Sequence, residues 1–183
     1  MLCCLPLLWL VGAAATGGLG ANPTEALIRQ PGVWALRFLL VTLLATPLNR
    51  WLKWGLLLRY RRMLGLFAFF YAFFHFSVFI WLEHFFDWAE LGEDILQRPF
   101  ITLGMAAWLM LLPLAITSGR WAVRRLGYRR WAALHRLVFF AAVAAVIHFF
   151  LLVKADLREP MVYAVILSLL LLSRLPRLRS KRD

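Results

Sequence analysis

Three histidines, His75, His135 and His148, lie within segments apolar enough to cross a membrane, where an ionisable side chain is costly unless it has a partner. Imidazole is a standard axial ligand of haem iron, so two such histidines on neighbouring helices could hold a haem inside a bilayer. The chemistry that this pattern predicts is electron transfer across a membrane. The alternative is a set of structural histidines that form hydrogen bonds between helices.

The depths of His75 and His148 in the membrane can be estimated from the sequence. His75 lies 13 residues beyond Arg62, and His148 lies 17 residues beyond Trp131, on helices predicted to run in the same direction. At about 1.5 Å per residue, they lie roughly 20 and 25 Å from the same edge of the membrane. Because helix tilt can absorb this small mismatch, we predict that His75 and His148 are the two axial ligands of one haem.

His135 is predicted to occupy a different level. It lies 13 residues before His148, which on one helix is about 20 Å along the axis and about 140° around it. It could bind a second haem near the opposite edge, or it could be an interfacial histidine beside Trp131. Candidates for the sixth ligand of that haem are Arg61, Arg62, Met63, a water or none. The fourth histidine, His84, is predicted to be a solvated loop residue.

The composition identifies the elements that must position these histidines. Of 183 residues, 63% are hydrophobic and 16% are charged, which excludes a soluble protein. At roughly 20 residues per crossing, the chain has room for about six spans and no separate globular domain. Residues 1–183 are therefore predicted to form one all-α membrane domain, a six-helix bundle. The predicted spans lie near residues 2–16, 34–48, 63–82, 100–117, 132–153 and 160–173.

Two details of these spans are also predicted. Pro47 is expected to close the second span, because proline lacks the N–H that a helix interior needs. The first apolar segment has no basic residues before it, which favours a transmembrane helix over a cleaved signal peptide.

Basic residues are concentrated on one side of the predicted membrane. Sixteen of them flank the spans or lie in the tail: Arg50, Lys53, Arg59, Arg61, Arg62, Arg120, Arg124, Arg125, Arg129, Arg130, Arg136, Arg174, Arg177, Arg179, Lys181 and Arg182. The connection between the third and fourth spans is instead acidic: Glu83, Asp87, Glu90, Glu93 and Asp94. Cytoplasmic loops are enriched in arginine and lysine, so both termini are predicted to be cytoplasmic. Topology and anionic lipid explain the net charge of +12 better than nucleic acid does.

Several segments together resemble a known family. They are residues 59–67 (RYRRMLGLF) followed by His75, residues 98–105 (RPFITLGM), residues 114–118 (LAITS), and residues 131–138 (WAALHRLV) followed by His148. With residues 17–23 and 46–48, they make nearly the whole chain similar to the MsrQ family. Its members are the haem-binding membrane subunits of bacterial methionine sulfoxide reductase systems. They are related to the ferric-reductase-like transmembrane domain.

The resemblance implies a b-type cytochrome of the bacterial inner membrane that relays electrons and has no catalytic site of its own. The implied partner is a periplasmic, molybdenum-dependent, MsrP-like enzyme that reduces methionine sulfoxide in oxidised proteins. The implied electron donors are the quinone pool or a cytosolic flavin reductase. The implied cofactors are haem b, in one or two copies, and FMN. The family's haem ligands fall on His75, His135 and His148, and an arginine associated with the inner haem falls on Arg61.

On this interpretation, electrons enter near the basic face, at the His135 haem or from FMN, and leave through the His75/His148 haem near the acidic connection. Two other functions remain open from the sequence. One is the membrane subunit of a ferric or cupric reductase, which would need to borrow a flavin domain from another chain. The other is a non-redox membrane assembly protein, which would be colourless when purified.

Overall fold

The computed structural model describes residues 2–53, 55–153 and 156–174. This part of the chain is all-helical, as predicted. After a single 3-10 turn (Leu2–Cys4), the helices are α1 (Leu5–Ala15), α2 (Pro23–Leu52), α3 (Leu56–His84), α4 (Trp88–Gln97), α5 (Pro99–Ile116), α6 (Arg120–Leu126), α7 (Tyr128–Leu134), α8 (Leu137–Leu152) and α9 (Arg158–Leu172). The basic tail beyond Arg174 lies outside the described residues.

Four helical segments are long and apolar enough to cross a membrane, which confirms four of the predicted spans. They are α2, α3, α5 and the continuous segment Tyr128–Leu152, formed by α7 and α8. Helix α1 has 11 residues and α9 has 15, so they measure about 16 and 22 Å against a hydrocarbon core of about 30 Å. The first and last predicted spans are therefore shorter than a full crossing in the described residues.

Helix α2 begins at Pro23, well before the predicted start of the second span at residue 34. The Asn22 side chain accepts a hydrogen bond from the Glu25 backbone N–H and donates one to the Glu25 carboxylate. The first of these bonds satisfies one backbone donor at the helix start, and Pro23 suits the first helical position because its missing N–H has no role there. The polar residues before the apolar stretch therefore belong to the helix.

The prediction that Pro47 closes the second span is wrong, since α2 continues through it to Leu52. Proline cannot donate to the carbonyl of the residue four positions earlier, which here is Leu43. The Arg174 guanidinium, at the end of α9, donates to the Leu43 carbonyl oxygen at 2.6 Å instead. The Arg174 side chain, distant in sequence, thus replaces the backbone hydrogen bond that Pro47 cannot make.

The connections between the long helices also fold into helices. Helix α4 lies in the acidic connection, where the Asp87 carboxylate caps it by accepting from the Ala89 and Glu90 N–H groups. Helices α6 and α7 lie in the basic connection and meet at Gly127, whose φ of +76° suits glycine. We call the end of the bundle at α4 the acidic end, and the end at α6 and α7 the basic end.

The bundle consists mainly of two helix pairs. Helix α2 packs along α3, and α5 packs along α8. Ala68 of α3 and Ala141 and Ala142 of α8 are fully buried, and small residues of this kind allow membrane helices to approach closely. Helix α9 packs against α8 and α2, while large apolar side chains such as Phe73, Phe140 and Leu169 face outward, as a lipid-facing surface requires.

Candidate functional site

One turn of α2 fixes His75, which projects from α3. The His75 Nδ1 lies 2.7 Å from the Ile28 carbonyl oxygen. A carbonyl can only accept, so Nδ1 carries the proton and Nε2 keeps its lone pair. A Cβ atom on Gly32 would lie 3.1 Å from His75 Nδ1, so glycine at this position lets the imidazole approach the α2 backbone. The turn from Ile28 to Gly32 therefore sets both the position and the tautomer of His75.

His148 of α8 is held in the same way by α5. Its Nδ1 lies 2.6 Å from the Phe100 carbonyl oxygen, which again places the proton on Nδ1 and leaves the Nε2 lone pair available. A Cβ atom on Gly104 would lie 2.9 Å from the His148 ring, closer than real side chains approach. In both helix pairs, the carbonyl that orients the histidine lies four residues before the glycine on which the imidazole packs.

The two imidazoles lie side by side at one apolar cavity. Their ring centroids are 6.3 Å apart, and the rings are inclined at 69°. The cavity holds about 170 Å³, far more than the ~10–15 Å³ that one water needs. Its walls come from both helix pairs and include Leu36, Phe76, Met105, Trp108 and Phe149. The site is thus a ligand-sized apolar space with two nitrogen donors.

The residues fit a metal held inside a larger organic ligand. Two metal–imidazole bonds of about 2 Å on opposite sides of one ion place the ring centroids about 6 Å apart, which matches the observed separation. The described residues contain no group of three or more histidine, cysteine, aspartate or glutamate side chains that could hold a bare ion. The remaining coordination would therefore come from the ligand itself, as in a porphyrin.

Two further features of the wall are polar. The buried Trp108 Nε1 has no hydrogen-bond partner among the described residues, although its indole lines the cavity. Arg29 is the only lysine, arginine, aspartate or glutamate in the described lining. Its Nη2 lies 2.7 Å from the Glu159 Oε2 of α9. These two residues add polar groups to an otherwise mostly apolar wall, as ligand sites usually have.

Arg29, Arg37 and Glu159 were not predicted from the sequence as residues of the site. Arg37 lies within the predicted second span, and an arginine in an apolar span is a signal for a partnered, functional residue. Its Nε donates to the Tyr163 hydroxyl at 2.8 Å, and its guanidinium lies 4.7 Å from the Trp34 ring centroid. The partner on α9 could not be chosen from the sequence, because more than 120 residues separate the two positions.

His135 lies apart from the cavity, at the basic end. Its ring stacks on Trp131, with 4.1 Å between centroids, and its Nε2 lies 3.1 Å from the Thr117 hydroxyl oxygen. That hydroxyl donates to the Pro113 carbonyl at 2.6 Å, so Nε2 is the donor to Thr117. In the described residues no second histidine accompanies it. A metal at Nε2 would need His135 to give up this hydrogen bond.

Arg61 is the arginine that acts on His135 at the basic end. Arg61 lies on the exposed first part of α3 and acts electrostatically on both His135 and Arg174. Burial, with a smaller contribution from the Arg61 guanidinium, lowers the pKa of Arg174 below its usual value. Arg61 and His135 therefore belong to one positively charged region, separate from the His75/His148 cavity.

The prediction that His84 is a solvated loop residue is wrong. His84 is the last residue of α3, and only 3% of its side chain is exposed. Helix α4 folds back over it and places Glu90 Oε2 3.6 Å from its Nδ1 and Asp94 Oδ2 3.8 Å from its Nε2. Burial under an amphipathic helix in the connection could not be read from the local sequence.

Comparisons with known proteins agree on one family. Residues 31–146 match the family described as ferric reductase like transmembrane component. A Rhodospirillum rubrum protein is 54% identical over 99% of this chain and 88% of its own length. A Herminiimonas arsenicoxydans protein is 49% identical over 87% of this chain and 74% of its own length, and a Caulobacter vibrioides protein is 48% identical over 94% and 82%. Each of the three is named protein-methionine-sulfoxide reductase heme-binding subunit MsrQ. No solved structure matches the chain.

Proposed function

This chain belongs to the MsrQ family, and from that premise we propose that it is the haem-binding, electron-carrying membrane subunit of a methionine sulfoxide reductase system. The observation that carries the proposal is the pair of imidazoles, 6.3 Å apart, at one apolar cavity. Each imidazole is anchored through Nδ1 and keeps its Nε2 lone pair. The reduction of methionine sulfoxide itself takes place on a partner, a periplasmic molybdenum-dependent enzyme.

His75 and His148 would hold one haem b, whose iron would supply one-electron chemistry when bound. The Ile28 and Phe100 carbonyls hold the two rings in the tautomer that ligation requires. The apolar walls exclude water from the space between α2, α3, α5 and α8. In this role the chain positions the haem that carries electrons and surrounds it with apolar side chains. The chain itself converts no substrate.

The proposal includes a second cofactor site at the basic end. His135 and Arg61 lie there in one positively charged region, which suits a second haem or the phosphate of FMN. The quinone pool or a cytosolic flavin reductase would deliver electrons at this end. They would leave through the His75/His148 haem, toward the acidic end.

We propose that residues 1–183 form one domain in the bacterial inner membrane, with six spans and both termini in the cytoplasm. The arginine-rich connection of α6 and α7 supports a cytoplasmic basic end, and the acidic α4 supports a periplasmic acidic end. Helices α1 and α9 supply the two shorter spans. The apolar outward side chains of α9, such as Val165 and Leu169, support its contact with lipid.

The first test is an absorption spectrum of the detergent-purified protein, oxidised and dithionite-reduced, with a pyridine haemochrome assay for haem per chain. We expect a b-type spectrum with one or two haems per chain. A colourless protein that also fails to take up added haem would overturn the proposal and favour a membrane assembly protein. Electron transfer from the reduced protein to ferric or cupric ions, with none to a methionine sulfoxide reductase partner, would favour the metal-reductase alternative.

A further inference from the structure

The charged side chain on the cavity wall, Arg29, is next in sequence to the residue that anchors His75, a proposed haem ligand. Arg29 comes one residue after Ile28, whose carbonyl orients His75. Its guanidinium lies 5.9 Å from the centroid of Phe149, which lines the same cavity beside His148. Arg29 therefore lies at the cavity alongside both imidazoles.

Glu159 holds this guanidinium from the side of α9. The Arg29 Nη2 and Glu159 Oε2 are 2.7 Å apart, and the other carboxylate oxygen of Glu159 lies 3.7 Å from Arg37 Nη2. Arg37 in turn donates to Tyr163. The cluster thus contains two cations and one anion, so one positive charge is left without a carboxylate in this cluster.

An arginine offers five N–H donors in a fixed plane, and the hydrogen bond to Glu159 uses a single donor. Guanidinium groups recognise carboxylates with good geometry and strong, charge-assisted hydrogen bonds. A cavity that combines two nitrogen ligands, apolar walls and one guanidinium suits a planar apolar molecule that carries both a metal and a carboxylate. Haem b has this chemistry, since its propionate side chains are carboxylates.

We propose that Arg29 binds a carboxylate side chain of the haem held by His75 and His148, and that Glu159 is the positioning residue that orients the Arg29 guanidinium. This inference rests on the proposed function and deepens it. It also predicts that the cluster sets the reduction potential of this haem, because reduction adds one negative charge beside a net positive cluster.

Substitution of the two residues should shift the midpoint potential in opposite directions. R29Q removes a positive charge and should lower the midpoint, whereas E159Q removes a negative charge and should raise it. R29K keeps the charge but loses the planar fork, so its midpoint should stay near that of the wild type. If the two residues had only a structural role, their substitution would loosen the packing, and the direction of the midpoint shift would not depend on the charge that was removed.

The experiment is a spectroelectrochemical titration of the purified, haem-loaded protein and its variants, with haem transfer to apomyoglobin as a second readout. R29Q should lose haem about tenfold faster than the wild type, and R29K should fall between them. R158Q is the matched control, because Arg158 lies in the same turn of α9 as Glu159 and its side chain is 94% exposed. R158Q should change neither the midpoint nor the rate of haem loss.

The inference is overturned if R29Q and E159Q shift the midpoint in the same direction, or by no more than R158Q does. It is also overturned if R29Q loses haem at the wild-type rate. If R29Q is not recovered folded, E159Q and R29K decide: a raised midpoint in E159Q with a wild-type midpoint in R29K supports the inference, and any other pattern overturns it. Failure of the wild-type protein to bind haem would instead overturn the proposed function itself.

Discussion

At the scale of single residues, the site depends on how two backbone carbonyls orient two imidazoles. The Ile28 and Phe100 carbonyls each take the Nδ1 proton of a histidine from another helix. Such partners fix ring orientation and raise the basicity of the ligating nitrogen. His135 differs, because its Nε2 donates to the Thr117 hydroxyl. Replacement of His135 should therefore have a different effect from replacement of His75 or His148.

We predict that H75A and H148A each remove the same low-spin haem, because each takes one of the two ligands from a single iron. H135A should spare that haem. The measurement is the reduced absorption spectrum and the low-temperature electron paramagnetic resonance spectrum of each purified variant. Identical spectra from all three variants would refute the assignment of His75 and His148 to one site.

Gly104→Ala tests the close approach of His148 to α5. The added Cβ would lie 2.9 Å from the imidazole, so the ring must move and its Phe100 hydrogen bond must lengthen. We expect haem affinity to fall by about tenfold, measured as haem per chain and as the rate of transfer to apomyoglobin. Gly92→Ala, in α4, is the control because a Cβ there meets nothing within 4 Å. Equal haem retention in both variants would contradict this role for Gly104.

The sequence made part of the site predictable. His75 and His148 could be placed at similar depths in the membrane because the rise per residue of a helix is constant. Both depths were measured from the same, basic edge of the membrane. Gly32 and Gly104 could not be singled out, since their role depends on which ring packs against them. Arg29 and Glu159 are 130 residues apart, and their contact depends on how α9 packs against α2. Contacts between residues so far apart in the chain cannot be predicted from the local sequence.

At the scale of elements, α9 is tied to α2 by three polar contacts spread along its length. Glu159 binds Arg29 near the start of α9, Tyr163 accepts from Arg37 one turn later, and Arg174 donates to the Leu43 carbonyl just beyond its end. The last contact compensates for the N–H that Pro47 lacks. A helix of only 15 residues is thereby fixed in register against its neighbour.

We predict that the cost of removing Arg174 depends on Pro47. In the wild type, R174Q should destabilise the protein by about 1–3 kcal/mol, because the Leu43 carbonyl loses its donor. In a P47A background the backbone N–H at position 47 can bond Leu43, so R174Q should cost less. The measurement is a double-mutant cycle of unfolding free energies in mixed micelles. Equal costs in the two backgrounds would show that Arg174 does not act through Leu43.

Element boundaries were only partly predictable. Hydropathy located the four long spans but placed the start of the second too late, and the expectation that proline breaks a helix ended that span wrongly at Pro47. The polar cap at Asn22 extends α2 beyond its apolar stretch, and a tertiary contact carries it past the proline. Hydropathy averages over a window and detects neither effect.

At the scale of the whole molecule, charge separates the two ends of the bundle. The acidic end carries α4, and the basic end carries α6, α7 and the first part of α3. Because membrane insertion retains basic loops in the cytoplasm, this asymmetry determines the proposed orientation. It also gives the proposed electron path its direction, from the basic end toward the acidic end.

Cysteine labelling should reveal this orientation. In a C3S/C4S background, E93C should react with a membrane-impermeant maleimide in spheroplasts, since Glu93 is exposed on α4. R125C, exposed on α6, should react only after the membrane is disrupted. The measurement is the mass shift of the purified protein, and the reverse pattern would invert the proposed topology.

The placement of the two imidazoles on separate helix pairs also has a consequence for biogenesis. His75 and its α2 anchor enter the bilayer early in translation, while His148 and the α5 to α8 pair follow much later. Until α8 is inserted, the nascent chain presents only half of the cavity, and a haem could gain one axial bond at most. If His75 and His148 hold one haem as proposed, stable loading would therefore be a late step that waits for the insertion of α8.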